Sequence, residues 1–242
     1  MSLAVKLALG PVLVAQALLT RARLPRLPEA EGPRSGIVGR GPALRLLIAG
    51  DSSAAGVGVV HQRDALAVQV ARQLSHAAAV CVHWRLLART GLTTLGTLDL
   101  LREAEVGSAE LAVVVTGVND VIDQVPTPRA VAARDSLANW LRHAAGVRHV
   151  SFAPLPPVHA FPGLPQPLRW VAGTDARRHN QALQAWAATR DDVSCVPLDL
   201  PLDPSGMASD GFHPGAPVYR TIAASIAEHL VPFARPDRKA DP

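Results

Sequence analysis

The run Ala112-Val113-Val114-Val115 is apolar at every position and gives way at once to Thr116-Gly117-Val118-Asn119-Asp120. Successive side chains of a β-strand point to opposite faces, so a strand with no polar position must be covered on both. A parallel sheet with helices on each side meets that condition. The stretch Leu46-Leu47-Ile48-Ala49 repeats the pattern and ends in Gly50-Asp51-Ser52-Ser53. Such runs confine the chain to a layered α/β architecture.

Strands are expected at 44–49, 80–87, 111–116, 147–153 and 193–196, with helices at 65–76, 93–105, 128–144, 174–189 and 216–229. This alternation predicts a three-layer αβα fold around a five-stranded parallel sheet, whose ligand crevice lies beyond the carboxyl ends of the strands. With 242 residues and 48% hydrophobic content, one such domain accounts for the chain. It is expected over 44–233, after an apolar segment and a Pro/Gly-rich extended linker in 1–43, and before a polar tail in 234–242.

The formal charge is only +4, although the pI is 9.8, because nearly all the basic residues are arginine. The arginines are scattered and aromatic residues make up 4% of the chain, so no basic surface interleaved with stacking rings is expected and nucleic-acid binding is disfavoured. Cys81 and Cys195 lack metal-ligand spacing and read as buried thiols, with pairing left open for an oxidising compartment.

Residues 3–20 form an apolar segment whose run 7–19 is bounded by Lys6 and by Arg21, Arg23 and Arg26. The uninterrupted part, 7–19, is shorter than the ~20 residues of a spanning helix, which favours membrane association without crossing. Ala15-Gln16-Ala17 fits a signal-peptidase site, so export is the alternative.

Three strand ends carry polar turns that would share one edge of the sheet: Gly50-Asp51-Ser52-Ser53, Arg89-Thr90-Gly91-Leu92-Thr93-Thr94, and Thr116 to Asp120. Each alone could be a turn or a helix cap. Together with Asp210-Gly211-Phe212-His213 they make a nucleophilic site. A serine hydroxyl needs a base, and Asp210 can fix the tautomer of His213 while the other ring nitrogen reaches Ser52. The N–H of Ser52, the N–H of Gly91 and the side-chain amide of Asn119 could together form an oxyanion hole. For Asn119 the competing role is a helix cap or Asx-turn. No second acidic or histidine pair accompanies Asp210 and His213, so no metal site is expected, and His179-Asn180 reads as a solvated or helix-packing pair.

The loop 154–169 holds six prolines, and Phe161, Leu164 and Trp170 in or beside it are expected either to bind an acyl chain or to cap the core.

In Gly50-Asp51-Ser52, Gly91, Gly117-Val118-Asn119-Asp120 and Asp210-Gly211-Phe212-His213, taken in that order, the chain resembles the SGNH or GDSL-type serine hydrolases. The resemblance implies Ser52 as nucleophile, His213 as base and acid, Asp210 as the orienting carboxylate, and Ser52 N–H, Gly91 and Asn119 as oxyanion donors. It also implies a flavodoxin-like strand order 2-1-3-4-5 and no cofactor. Ser53 stands where the family name gives leucine, which leaves a second hydroxyl beside the first. The expected activity is hydrolysis of a small-molecule carboxylic ester, short-acyl or lipid-like, with sugar deacetylation or thioester hydrolysis as alternatives. A non-catalytic flavodoxin-like binding module is the competing class. The glycines at 50–58 lack the spacing of a phosphate cradle, which weakens that reading.

Overall fold

The computed structural model describes residues 3–198 and 204–234, and the tail expected at 234–242 lies outside them from 235 onward. Its elements are α1 (Leu3–Arg23), β1 (Ser35–Val38), β2 (Ala43–Gly50), α2 (Ser52–Ala55), α3 (Leu66–Ala78), β3 (Cys81–Ala88), α4 (Thr94–Glu103), β4 (Leu111–Val115), α5 (Val118–Ile122), α6 (Thr127–Ala145), β5 (His149–Phe152), α7 (Leu168–Ala187), β6 (Val193–Cys195) and α8 (Ala216–Ala234).

The sheet runs β1-β3-β2-β4-β5-β6. Its last five strands are parallel and stand in the expected order, while β1 is an additional edge strand antiparallel to β3. The sheet therefore has six strands rather than five. Leu44, Leu46 and Ile48 of β2 pack on one side with Leu66 and Leu74 of α3 and Tyr219 and Ile226 of α8. Leu47 and Ala49 pack on the other with α4, α6 and α7, so the uninterrupted apolar run of β2 has both its faces covered.

The stretch expected to be an extended linker is packed against the domain. Ala30 is buried, Gln62 donates its side-chain amide to the carbonyls of Ala30 and Ala55, and Arg34 donates to the Ala88 carbonyl at 2.6 Å. Glu29 accepts from the N–H and hydroxyl of Thr90 at 2.7 and 2.9 Å. Burial alone would raise the pKa of Glu29, but Thr90 and the Arg34 guanidinium outweigh it and hold it below the usual range. Proline and charge suit a solvated tether, yet here specific hydrogen bonds at the edge of the sheet replace water.

Among the described residues, no helix is long and apolar enough to cross a membrane. The expected attachment through residues 3–20 finds no support in the fold. Helix α1 instead rests on α7, with the Gln16 amide donating to the Gln166 carbonyl and its oxygen accepting from Leu168 N–H. Cys81 and Cys195 are free thiols. They sit on β3 and β6, four strand spacings apart. At about 4.8 Å per spacing that is ~19 Å, beyond the ~7 Å a disulfide can bridge, so no intramolecular pairing occurs.

Candidate active site

Gly50, the last residue of β2, stands in register with Ala88 at the end of β3 and Val115 at the end of β4. The three polar turns therefore leave the sheet side by side. Gly50 has φ +153°, and a Cβ there would lie 1.9 Å from the Val115 carbonyl oxygen, so only glycine lets the chain bend this close to its neighbour. Asp51 N–H donates to that carbonyl at 3.0 Å, and the Asp51 carboxylate caps α2 by accepting from Ser53 N–H at 3.0 Å. Ser52 becomes the first residue of the short helix, where its N–H has no intrahelical acceptor.

The turn before α8 meets this edge. Ser52 Oγ lies 3.0 Å from His213 Nε2, and His213 Nδ1 lies 2.6 Å from Asp210 Oδ2. The other Asp210 oxygen accepts from Phe212 N–H at 2.9 Å and His213 N–H at 3.0 Å, which fixes the carboxylate on both sides. Burial pushes the Asp210 pKa up, but the His213 ring and the two backbone donors prevail and hold it below the usual carboxylate range. Facing an ionised carboxylate, Nδ1 carries the proton and leaves Nε2 to accept from the serine hydroxyl. The ring is on Ser52; no hydrogen bond joins it to Ser53 among the described residues.

Asp51 beside Ser52 is 2% exposed. Burial pushes its pKa up to about 7, against the Ser53 N–H and His213 and with help from the Asp120 charge. Tyr219 of α8 donates its hydroxyl to the Val57 carbonyl at 2.7 Å. Burial, then the charges of Asp51 and Asp210, hold the phenol protonated to well above its ordinary range. It acts as a brace between α8 and the segment after α2.

Asn119 is the second residue of α5, so it does not cap that helix, whose preceding residue is Gly117 with no side-chain cap. Its amide donates to the Leu92 carbonyl at 2.9 Å. An amide has two N–H bonds, and the second remains for an oxygen in the crevice. Gly91 differs from expectation. Its turn is exposed, no atom lies within 4 Å of where its Cβ would be, and it does not line the crevice that holds Ser52 and Asn119. Its φ of +85° is what calls for glycine, not close approach.

The crevice around Ser52 is walled mainly by apolar side chains, among them Val115, Val118, Leu155 and Phe161. Phe161 is 2% exposed and packs edge-on against Phe212 with ring centroids 5.0 Å apart. Phe161 therefore caps a small core, as one of the two expected readings has it, and also faces the crevice. Leu164 packs only on that core, and Trp170 lies on α7, 46% exposed, outside the crevice wall. The structure adds Leu198, Met207, Val218 and Ile222. The last two are an apolar i,i+4 pair on α8, a signal present in the sequence just after His213.

His179 is buried and Asn180 clasps the backbone of Leu155 with bonds of 2.8 and 2.9 Å in both directions, so this pair serves helix packing. Among the described residues, no group of three or more metal-ligating side chains converges.

The family model of the GDSL-like lipase/acylhydrolases matches residues 48–221, well over half of the chain. The chain belongs to this family. It is accordingly a serine hydrolase of the GDSL or SGNH type. Its fold is that of solved relatives. A lipase from a goat rumen metagenome superposes with a TM-score of 0.61 at 16% identity, over 79% of this chain and 99% of the other. A lipase/acylhydrolase from Enterococcus faecalis gives 0.59 at 19% identity, over 81% and 99%. A family 3 carbohydrate esterase from Clostridium thermocellum gives 0.60 at 14% identity, over 80% and 98%. No curated protein matches the sequence.

Proposed function

We propose that this protein hydrolyses carboxylic esters of short or lipid-like acyl groups through an acyl-serine intermediate. The observation that carries this reading is the chain of contacts Asp210 to His213 to Ser52, at 2.6 and 3.0 Å. Ser52 Oγ attacks the ester carbonyl as its proton passes to His213 Nε2, and the carbonyl oxygen becomes an oxyanion. Ser52 N–H and the free N–H of the Asn119 amide stabilise that charge, and Asn119 is held in place by its bond to the Leu92 carbonyl. Collapse breaks the ester bond, and His213 gives its proton to the leaving alkoxide. Water then gives its own proton to His213 as it attacks the acyl-serine, the acyl–Oγ bond breaks to release the acid, and His213 returns the proton to Ser52 Oγ. Asp210 keeps the proton on Nδ1 throughout and stabilises the imidazolium. None of these steps calls for a cofactor.

The character of the crevice supports an acyl group over a sugar. Among the described residues, its polar side chains are Asp51, Ser52, Ser53, Asn119 and Tyr219, whose hydroxyl is already engaged by Val57. A carbohydrate would leave most of its hydroxyls facing apolar carbon, unpaired. Aryl esters of increasing acyl length test the assignment. kcat/KM should rise from acetyl to a medium chain, and Ile222→Trp should move the optimum to shorter chains. Preference for an acetylated sugar over every aryl ester, with no response to Ile222→Trp, would overturn it.

A further inference from the structure

Arg134 heads the largest fully buried side chains of the described residues. It projects from α6 and is 1% exposed, with Nη2 3.7 Å from Asp120 Oδ2, which is itself 2% exposed at the side chain. That distance makes an ion pair but not a hydrogen bond. Neither Nη1 nor Nη2 has a hydrogen-bond partner among the described residues. A guanidinium in this state is a poor choice for stability, since an apolar side chain of similar volume commonly does as well in a core. Its other near neighbour of note is Gly117, where a Cβ would lie 2.7 Å from Nη2. The guanidinium is thus pressed against the backbone that leads into Asn119.

Asp120 is fully committed elsewhere. Oδ1 accepts from Thr94 N–H at 2.9 Å and Oδ2 from the Thr94 hydroxyl at 2.5 Å. One residue earlier, Asn119 binds the Leu92 carbonyl. Two adjacent side chains of α5 therefore clasp one turn, 92–94, whose outer end is Gly91. A carboxylate accepts both Thr94 donors, whereas a neutral amide has only one acceptor oxygen and would release one of them.

Resting on the serine-hydrolase reading above, we propose that Arg134 is a positioning residue for the oxyanion hole. By compensating the buried Asp120 carboxylate, it keeps that group locked onto Thr94 and holds the adjacent Asn119 in register with Ser52. Arg134 touches no substrate and acts only through Asp120. Two further groups share its surroundings. Burial first and then the Arg134 charge lower the pKa of His179, and Asp175 is buried on the same face of α7.

The test compares Arg134→Met, Arg134→Lys, Asp120→Asn and the double variant Arg134→Met/Asp120→Asn with wild type. kcat is expressed per serine titrated by a fluorophosphonate, so that unfolded molecules do not count. Misplacing donors by a fraction of an ångström to an ångström lowers kcat by about tenfold to a hundredfold. Arg134→Met and Asp120→Asn should show that loss with KM little changed, and Arg134→Lys should recover most of it. The double variant, free of an unpaired buried charge, should fold like wild type yet stay slow. Hydrogen–deuterium exchange adds a readout independent of activity, with the Thr94 amide exchanging faster in Asp120→Asn and in the double variant while the amides of β2 and β4 stay protected. Wild-type kcat per titrated site in the double variant, or unchanged exchange at Thr94, would overturn the proposal. If wild type cleaved no ester, the exchange arm would still decide whether the clasp exists, separately from the assigned reaction.

Discussion

Asp51 offers a quantitative handle because it is a buried acid beside Ser52 whose proton is lost only near neutrality. Its carboxyl ionises at about 7 in the folded chain against 3.8 in a solvated one. Below the lower value both states hold the proton and folding is unaffected. Between the two values the unfolded chain releases it while the folded chain retains it, so stability falls as pH rises; above about 7 both are ionised and the loss is constant. The gap of about 3 units corresponds to roughly 4 kcal/mol, at about 1.4 kcal/mol per unit. Asp51→Asn keeps an oxygen to accept Ser53 N–H, so the α2 cap survives, but it carries no proton to lose. Urea unfolding of both proteins between pH 4.5 and 8 should show the variant gaining on wild type by about 3 kcal/mol across that window, the first ~1 kcal/mol of the loss falling below pH 4.5, with contributions shared by both proteins cancelling in the difference. A difference that stayed flat with pH would refute the assignment of a buried, protonated Asp51.

Asp210→Asn should lower kcat by about 10⁴, because an amide facing Nδ1 no longer fixes the tautomer that leaves Nε2 free; steady-state kinetics on an aryl ester checks this, and a loss below tenfold would contradict the role. The stability that ionised Asp210 contributes is present above its ordinary pKa and is lost as pH falls below that, so Asp210→Asn should remove part of the acid limb of a stability curve measured from pH 5 to pH 2. Asn119→Ala should reduce kcat by about a hundredfold to a thousandfold with KM little changed, as expected for a donor whose bond forms chiefly in the transition state.

The sheet was legible because strands covered on both faces leave continuous apolar runs, and β2 and β4 have them. Strand β1 was not, since Ser35-Gly36-Ile37-Val38 is an edge strand of alternating half-burial within a proline- and glycine-rich stretch, and its pairing with β3 depends on Arg34 and Glu29 finding partners far along the chain. The meeting of Ser52, Asp210 and His213 was legible because their turns are marked by Gly50 and Gly211 and a serine, a carboxylate and a histidine in these places form a specific pattern. Gly91 was read as an oxyanion donor, whereas its left-handed backbone alone calls for glycine and its turn stands outside the crevice. Trp170 was placed at the crevice from its neighbourhood in the sequence, but α7 begins at Leu168 and turns it outward. Arg134 gave no signal at all, since an arginine within an amphipathic helix reads as surface until the packing of α6 is known.

Intact-protein mass spectrometry after a short exposure to a fluorophosphonate, followed by peptide mapping, tests the central assignment most directly. Wild type and Ser53→Ala should each gain one adduct, mapped to Ser52, and lose esterase activity in step with it, while Ser52→Ala and His213→Ala should remain unmodified on that timescale. Labelling that persisted in folded Ser52→Ala, or a wild-type adduct on Ser53, would contradict it.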